Sequence, residues 1–224
     1  MENTKHNSKP LIFNRQTKVT ANDAKKILED GNNRFHDNRT LPKDTSKEKR
    51  KKLFDEGQKP FAVIVGCSDS RVSPELIFDL GLGDIFVIRS AGNLVDNIAL
   101  GSIEFAIQEL HVPLIVVLGH EGCGAVEATV KAVEGDSGVS SHLSAIVERI
   151  CPCVEKCRAI EKKGNSSLMN LTIRENIRAT VTEILTRSPI ISKSINDGRI
   201  SVVGAKYNLE SGKVEFLDIS NEKT

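Results

Sequence analysis

The sequence predicts an α/β fold with a mostly parallel central sheet, an antiparallel extension, flanking helices and an N-terminal helical arm. Three observations carry that reading. Short β-branched runs, "FAVIV" at 61–65, "IFVI" at 85–88 and "LIVVL" at 114–118, alternate with helical stretches. Their apolar character is unbroken, as in strands covered on both faces. The chain closes with "ISVVGAKYNLESGKVEFLDI", two strand-like runs around the turn residues "LESGK", which makes a hairpin. Alternating strands and helices imply right-handed crossovers.

Residues 1–19 read as a polar arm with one apolar patch, "LIF" at 11–13, and residues 20–224 as a single domain. "TANDAKKILEDGNNRF" opens with Thr20 and Asp23 in a capping-box arrangement and continues with Ala24, Ile27, Leu28 and Phe35 at helical spacing. Thr45 with Glu48 marks a second helix start before "SKEKRKKLFDEG". Its basic run reads as a solvated helix face rather than a targeting or phosphate-binding patch. Ser73-Pro74-Glu75 is a helix start with proline at the first position. "VDNIALGSIEFAIQEL" carries Ile98, Gly101, Ser102, Phe105, Ile107 and Leu110 and reads as one amphipathic helix. "SSHLSAIVERI" and "LTIRENIRATVTEILTRS" are helical as well.

The 31 basic and 30 acidic residues leave a net charge of +1. That balance gives no electrostatic case for nucleic acid or an anionic membrane. The apolar runs are strand-sized, shorter than a membrane span, and the N-terminus lacks the apolar core of a secretory signal. The expectation is therefore a cytoplasmic protein. In that compartment five cysteines point to metal or thiol chemistry before disulfides.

The chemistry concentrates where strands end. "GCSDSR" follows "FAVIV", and "GHEGCG" follows "LIVVL". Ligands of open α/β sheets bind at the carboxyl ends of the strands. Two adjacent parallel strands would thus bring Cys67, Asp69, His120 and Cys123 together. Thiolate, imidazole and carboxylate are zinc ligand types, and a sulfur-dominated set favours Zn²⁺ over magnesium or calcium. Two thiolates and a neutral histidine leave the ion with zero net charge. Asp69 then has two possible homes. On the metal it closes the fourth position; on the guanidinium fork of Arg71 it leaves that position to water. Zinc-bound water ionises near neutral pH, so the open arrangement would supply a hydroxide nucleophile.

These residues resemble the β-class carbonic anhydrases. The resemblance rests on "CSDSR" (67–71), "HEGCG" (120–124), "FVIRSAGN" (86–93) and "GNNRF" (31–35), and covers roughly residues 20–220. It implies a zinc enzyme interconverting CO₂ and bicarbonate through a zinc-bound hydroxide. It also implies a homodimer or a dimer-based homo-oligomer whose N-terminal helices embrace the partner. Cys67, His120 and Cys123 match the three zinc ligands, and Asp69 and Arg71 the carboxylate–arginine dyad. Gln58 matches a substrate-binding glutamine. Phe86, Ala91 and Phe105 match apolar walls of the CO₂ pocket, and Gly124 a glycine whose N–H faces substrate. One subgroup closes its zinc with the aspartate and carries a tryptophan three residues before the first zinc cysteine. Ile64 stands there and the chain has no tryptophan, so the open form is expected at neutral pH.

Two rival functions share these motifs. Hydrolysis of CS₂ or COS would use the same metal centre, whereas a non-catalytic zinc-stabilised scaffold would need neither the dyad nor Gln58. "CPCVEKC" places Cys151, Cys153 and Cys157 together; these read as free thiols near a helix break at Pro152 rather than as a second metal site or a redox pair. His142 reads as a helix-surface residue before a proton shuttle.

Overall fold

The computed structural model describes residues 19–135, 138, 140–161 and 167–218. The apolar patch at 11–13 lies outside them. Among these residues five strands form one sheet: β1 (Ala62–Cys67), β2 (Ile85–Ser90), β3 (Leu114–His120), β4 (Ser201–Tyr207) and β5 (Val214–Leu217). Their order is β2-β1-β3-β4-β5. The first four pair in parallel. β5 pairs antiparallel with β4 through the closing hairpin. Every residue of β1 and β3 is buried, which is why their runs show no alternation.

Among the described residues eight α-helices surround the sheet: α1 (Ala21–His36), α2 (Lys47–Glu56), α3 (Pro74–Ile77), α4 (Asn97–Gln108), α5 (Gly124–Val133), α6 (Ser141–Glu161), α7 (Leu168–Arg187) and α8 (Pro189–Asn196). The pleat splits the core in two. Val63, Val65, Ile115 and Val117 face a cluster with Ile103, Ile150, Ile177 and Ile184 from α4, α6 and α7. Ile64, Leu114, Val116 and Leu118 face a smaller one with Leu28 of α1 and with Ile77 and Phe78 at α3.

The helix starts divide. Thr20 caps α1 with the reciprocal Asp23 contact the sequence predicts. At α2 the cap is Ser46, one residue later than the expected Thr45, because its hydroxyl accepts from the Lys49 amide. α2 buries none of its residues, consistent with a solvated basic face. The expected break at Pro152 is also corrected, since α6 runs through it from Ser141 to Glu161. A proline there forfeits one backbone hydrogen bond, but Cys153, Val154 and Cys157 anchor the following turns in the core.

The "GNNRF" stretch fixes α1 to the sheet. Asn32 is buried; its Nδ2 donates to the carbonyls of Ile77 (3.2 Å) and Gly212 (2.8 Å), and its Oδ1 accepts from the Val214 amide (2.8 Å). Arg34 Nε lies 2.5 Å from the buried Asp79 carboxylate, which also meets Lys43 Nζ at 2.5 Å. One α4 expectation changes. Ala99, Leu100, Ile103, Ala106 and Ile107 form the buried face, while Ile98 and Phe105 point outward at 78% and 39% exposure. A helix apolar on both sides has a second surface to cover.

Candidate metal centre

The chain leaves β1 to form β2 on one side, then crosses to form β3 on the other. The carboxyl ends of β1 and β3 therefore meet at the point where strand order reverses, the usual crevice of such sheets. Cys67 ends β1, His120 ends β3, and Cys123 immediately precedes α5. The three are 5%, 0% and 1% exposed. One ligand atom from each lies within 4.8 Å of the others, the sole such group of three or more among the described residues. The two sulfurs are 4.0 Å apart.

The histidine is oriented from behind. Its Nδ1 lies 2.8 Å from the Glu121 carbonyl, which only accepts, so Nδ1 carries the proton and donates there. Nε2 is then a bare lone pair, buried and without a hydrogen-bond partner. Such a carbonyl contact is how proteins set the tautomer of a ligating histidine. Glu121 is itself clamped: Lys206 Nζ and Asn208 Nδ2 reach its carboxylate at 3.2 and 2.5 Å.

The two thiols shift each other's ionisation in opposite directions. The Cys123 thiol, with help from His120, pulls Cys67 below the usual thiol range against the effect of burial. The same contact, reinforced by burial, pushes Cys123 up. Burial disfavours charge on His120, yet the neighbouring Cys67 sulfur and Glu121 carbonyl raise its pKa. The upward push on Cys123 favours its protonated form. Metal binding displaces such protons. The orphaned Nε2 and the two buried sulfurs fit a metal ion of the soft, nitrogen–sulfur kind.

Asp69 lies beside this nest but belongs to Arg71. Its Oδ1 accepts from the Arg71 backbone N and Nε, both at 2.9 Å, and its Oδ2 accepts from Nη2 at 2.7 Å. Oδ2 is 4.0 Å from His120 Nε2, and Asp69 is not part of the three-residue group. Arg71's hydrogen bonds hold its carboxyl well below the usual carboxylate range, against the effect of burial. Arg71 also reaches the Gly122 carbonyl at 3.3 Å, tying one ligand loop to the other.

The residues expected to bind substrate fall into two sets. Ala91 follows β2 directly and Gly124 opens α5, so both adjoin the nest. Gln58 precedes β1 by four residues, and Phe86 pairs with Val63 near the start of the strands. The Phe86 and Phe105 rings meet tilted at 35°, with centroids 6.3 Å apart. Five strand steps separate Ala62 from Cys67, about 17 Å. Gln58, Phe86 and Phe105 therefore sit at the opposite end of the sheet from the metal ligands of their own chain.

The sequence reading missed four participants. Arg89 donates to the Cys67 carbonyl (2.9 Å) and the Asp69 carbonyl (2.6 Å). The Gly92 amide donates to Cys67 Sγ (3.4 Å), and Asn176 of α7 holds the Gly92 carbonyl (2.8 Å). The fourth is Glu121. Only "RSAGN", already part of a matched motif, flagged Arg89 and Gly92; nothing local marked Asn176.

With the geometry in place, comparison with known proteins decides the family. A carbonic anhydrase family model matches residues 62–214. The chain is 42% identical over 193 residues to the carbonic anhydrase of Mycolicibacterium smegmatis, covering 86% of this chain and 91% of that one. The chain belongs to the β-class carbonic anhydrase family. The fold of this β-class member is similar to the Aspergillus fumigatus β-carbonic anhydrase CafA, with a TM-score of 0.66 at 26% identity over 78% of this chain and 85% of that one. It is also similar to a tetrameric β-carbonic anhydrase of Sordaria macrospora, with a TM-score of 0.64 at 26% identity over 76% and 88% of the two chains. Among the described residues no helix is long and apolar enough to cross a membrane.

Proposed function

We propose that this β-class chain interconverts CO₂ and bicarbonate, with one zinc ion held by Cys67, His120 and Cys123. The observation that carries the proposal is the buried, unpartnered His120 Nε2 facing two sulfurs, with Asp69 drawn aside by Arg71. Zinc follows from the donor set, since two thiolates and an imidazole suit it better than a hard cation. A zinc ion held there supplies Lewis acidity, bringing the ionisation of water into the neutral range.

The chain's own groups do the rest. Glu121 fixes the His120 tautomer through its carbonyl. Arg71 holds Asp69 ionised and in place, 4.0 Å from His120 Nε2, where the carboxylate can accept a hydrogen bond from water and orient it. Such preorganised acceptors lower a barrier without reorganising during the reaction. Gly124 offers an amide, and Ala91 a small apolar wall, on the substrate side.

Gln58, Phe86 and Phe105 complete the site of a second copy. Among the described residues β2 is an edge strand, paired only with β1. Beside it a groove of about 630 Å³ is lined by Ala91, Leu94, Ile98, Ile146 and Arg149 among others. Two β2 edges meeting antiparallel about a two-fold axis would bring the Phe86 end of one chain to the Ser90 end of the other. The exposed apolar face of α4 would be covered in the same step. A cytoplasmic location fits five cysteines with no disulfide among them.

Hydrolysis of CS₂ or COS gains nothing from the comparisons, and a passive scaffold leaves the Asp69–Arg71 pair without a task. Stopped-flow CO₂ hydration between about pH 6.5 and 9 on zinc-loaded protein tests the proposal. Activity rising along a single titration supports it. Zinc at one per chain with no activity at any pH overturns it in favour of the scaffold.

A further inference from the structure

Asn176 sits in the middle of α7, 2% exposed. Its Nδ2 lies 2.8 Å from the Gly92 carbonyl, 84 positions away in the chain. A carbonyl only accepts, so the amide orientation is fixed: nitrogen faces Gly92. Gly92 turns left-handed at φ 70°, and Asn93 follows at φ 49°. Two successive residues in that region are costly for an L-residue such as Asn93 and persist only where surroundings enforce them. The surroundings do so tightly. A Cβ on Gly92 would lie 3.0 Å from Ile150 Cδ1 and 3.1 Å from the Ala125 Cβ. The product of this turn is a single amide, Gly92 N–H, aimed at Cys67 Sγ over 3.4 Å.

We propose that Asn176 is a positioning residue for the metal centre. It locks the Gly92 turn so that the amide holds one Cys67 lone pair and leaves the others directed into the nest. The proposal rests on the reading of Cys67 as a metal ligand. An N–H···S bond draws electron density off the sulfur and fixes its orientation, and partners of this outer kind tune metal affinity by about 10–100-fold. The feature is built from three separate elements: α7 supplies the donor, the turn after β2 supplies the amide, and β1 supplies the sulfur.

The alternative is that Asn176 merely satisfies a buried carbonyl. Cobalt(II) separates the two, because sulfur-to-cobalt charge-transfer bands report the electron density on the thiolates. The experiment compares wild type, Asn176→Leu, Asn176→Ser and a control, Thr180→Val, buried one turn further along α7. The bands of both Asn176 variants should move to longer wavelength, and Co²⁺ affinity by chelator competition should fall about 10–100-fold. Thr180→Val should lose thermal stability only. Asn176 variants that fold and show wild-type bands and affinity overturn the proposal. Wild-type protein without charge-transfer bands overturns the metal reading of Cys67 itself, a different and recognisable failure. One measurement needs no variant. In ¹¹³Cd-loaded, ¹⁵N-labelled wild type, the Gly92 amide should couple to cadmium through the sulfur. Absence of that coupling overturns the proposal whether or not the variants fold.

Discussion

Removing the Arg71 side chain tests whether Asp69 and Arg71 act as one device. Three hydrogen bonds run from Arg71 to Asp69. Arg71→Ala keeps the backbone one and deletes the two from the guanidinium. The Arg71 side chain is 57% exposed, so solvent screens these bonds and their loss loosens Asp69 rather than the fold. The preference of Asp69 for its present orientation then weakens. Asp69 stays ionised at pH 7 in the variant, since an unheld aspartate titrates near 4; the damage is to orientation, not charge. Stopped-flow CO₂ hydration should show Arg71→Ala slower by about 10–100-fold, since small misplacements at a reacting centre cost that much, with metal content unchanged. Asp69→Ala should lose about 100-fold or more. The double variant should be no worse than Asp69→Ala alone, because partners that act as a unit are not additive. A fully active Arg71→Ala, or losses that multiply in the double variant, would refute the reasoning.

Three further outcomes follow from the same geometry. A Cβ at Gly119 would lie 2.6 Å from both Cδ1 and Cγ1 of Ile177; Gly119→Ala should cost about 1–3 kcal/mol by overpacking and weaken metal binding through its neighbour His120, and Ile177→Ala should restore most of both in denaturation and chelator-competition measurements. At Asp79, burial would raise the pKa, but the hydrogen bonds from Lys43 and Arg34 outweigh it and the net shift is downward. A depressed folded-state pKa contributes stability that is present above the unfolded value, near 4, and lost as pH falls through the folded value. Asp79→Asn should therefore cost about 2–4 kcal/mol in urea unfolding at pH 7, and the gap to wild type should narrow below about pH 4; an equal gap at both pH values argues against a charge effect. Burial pushes Cys153 up to about 12 and raises Cys151 and Cys157 as well, so all three should resist a thiol reagent in the folded protein at pH 7 and react readily in denaturant; fast labelling of the folded protein contradicts this.

The strand cores were legible because their burial is total. "FAVIV" and "LIVVL" hold no polar residue that would blur the reading, and the first ligand sits two residues beyond each run. What the sequence hid was contact at a distance. Ser46 and Thr45 are equally good caps by composition, and only the path of the backbone selects the first. Pro152 looks like a helix break until the core contacts of Cys153, Val154 and Cys157 are known. Ile98 and Phe105 look like a buried stripe because apolar character does not say which side of α4 faces its own chain. For the same reason Gln58, Phe86 and Phe105 could be matched to a pocket without revealing that they sit at the other end of the sheet. Asn176, a buried amide on a helix, carries no local mark of the loop it holds.

The proposed chemistry requires three protein groups to bind one metal ion while Asp69 stays on Arg71. Anomalous scattering at the zinc edge, from crystals near pH 7.5, tests it directly. A single peak per chain is expected within bonding distance of Cys67 Sγ, His120 Nε2 and Cys123 Sγ, with the Asp69 carboxylate still bound to Arg71. Absence of a peak there, or a peak with an Asp69 oxygen as a fourth bonded atom, would contradict it.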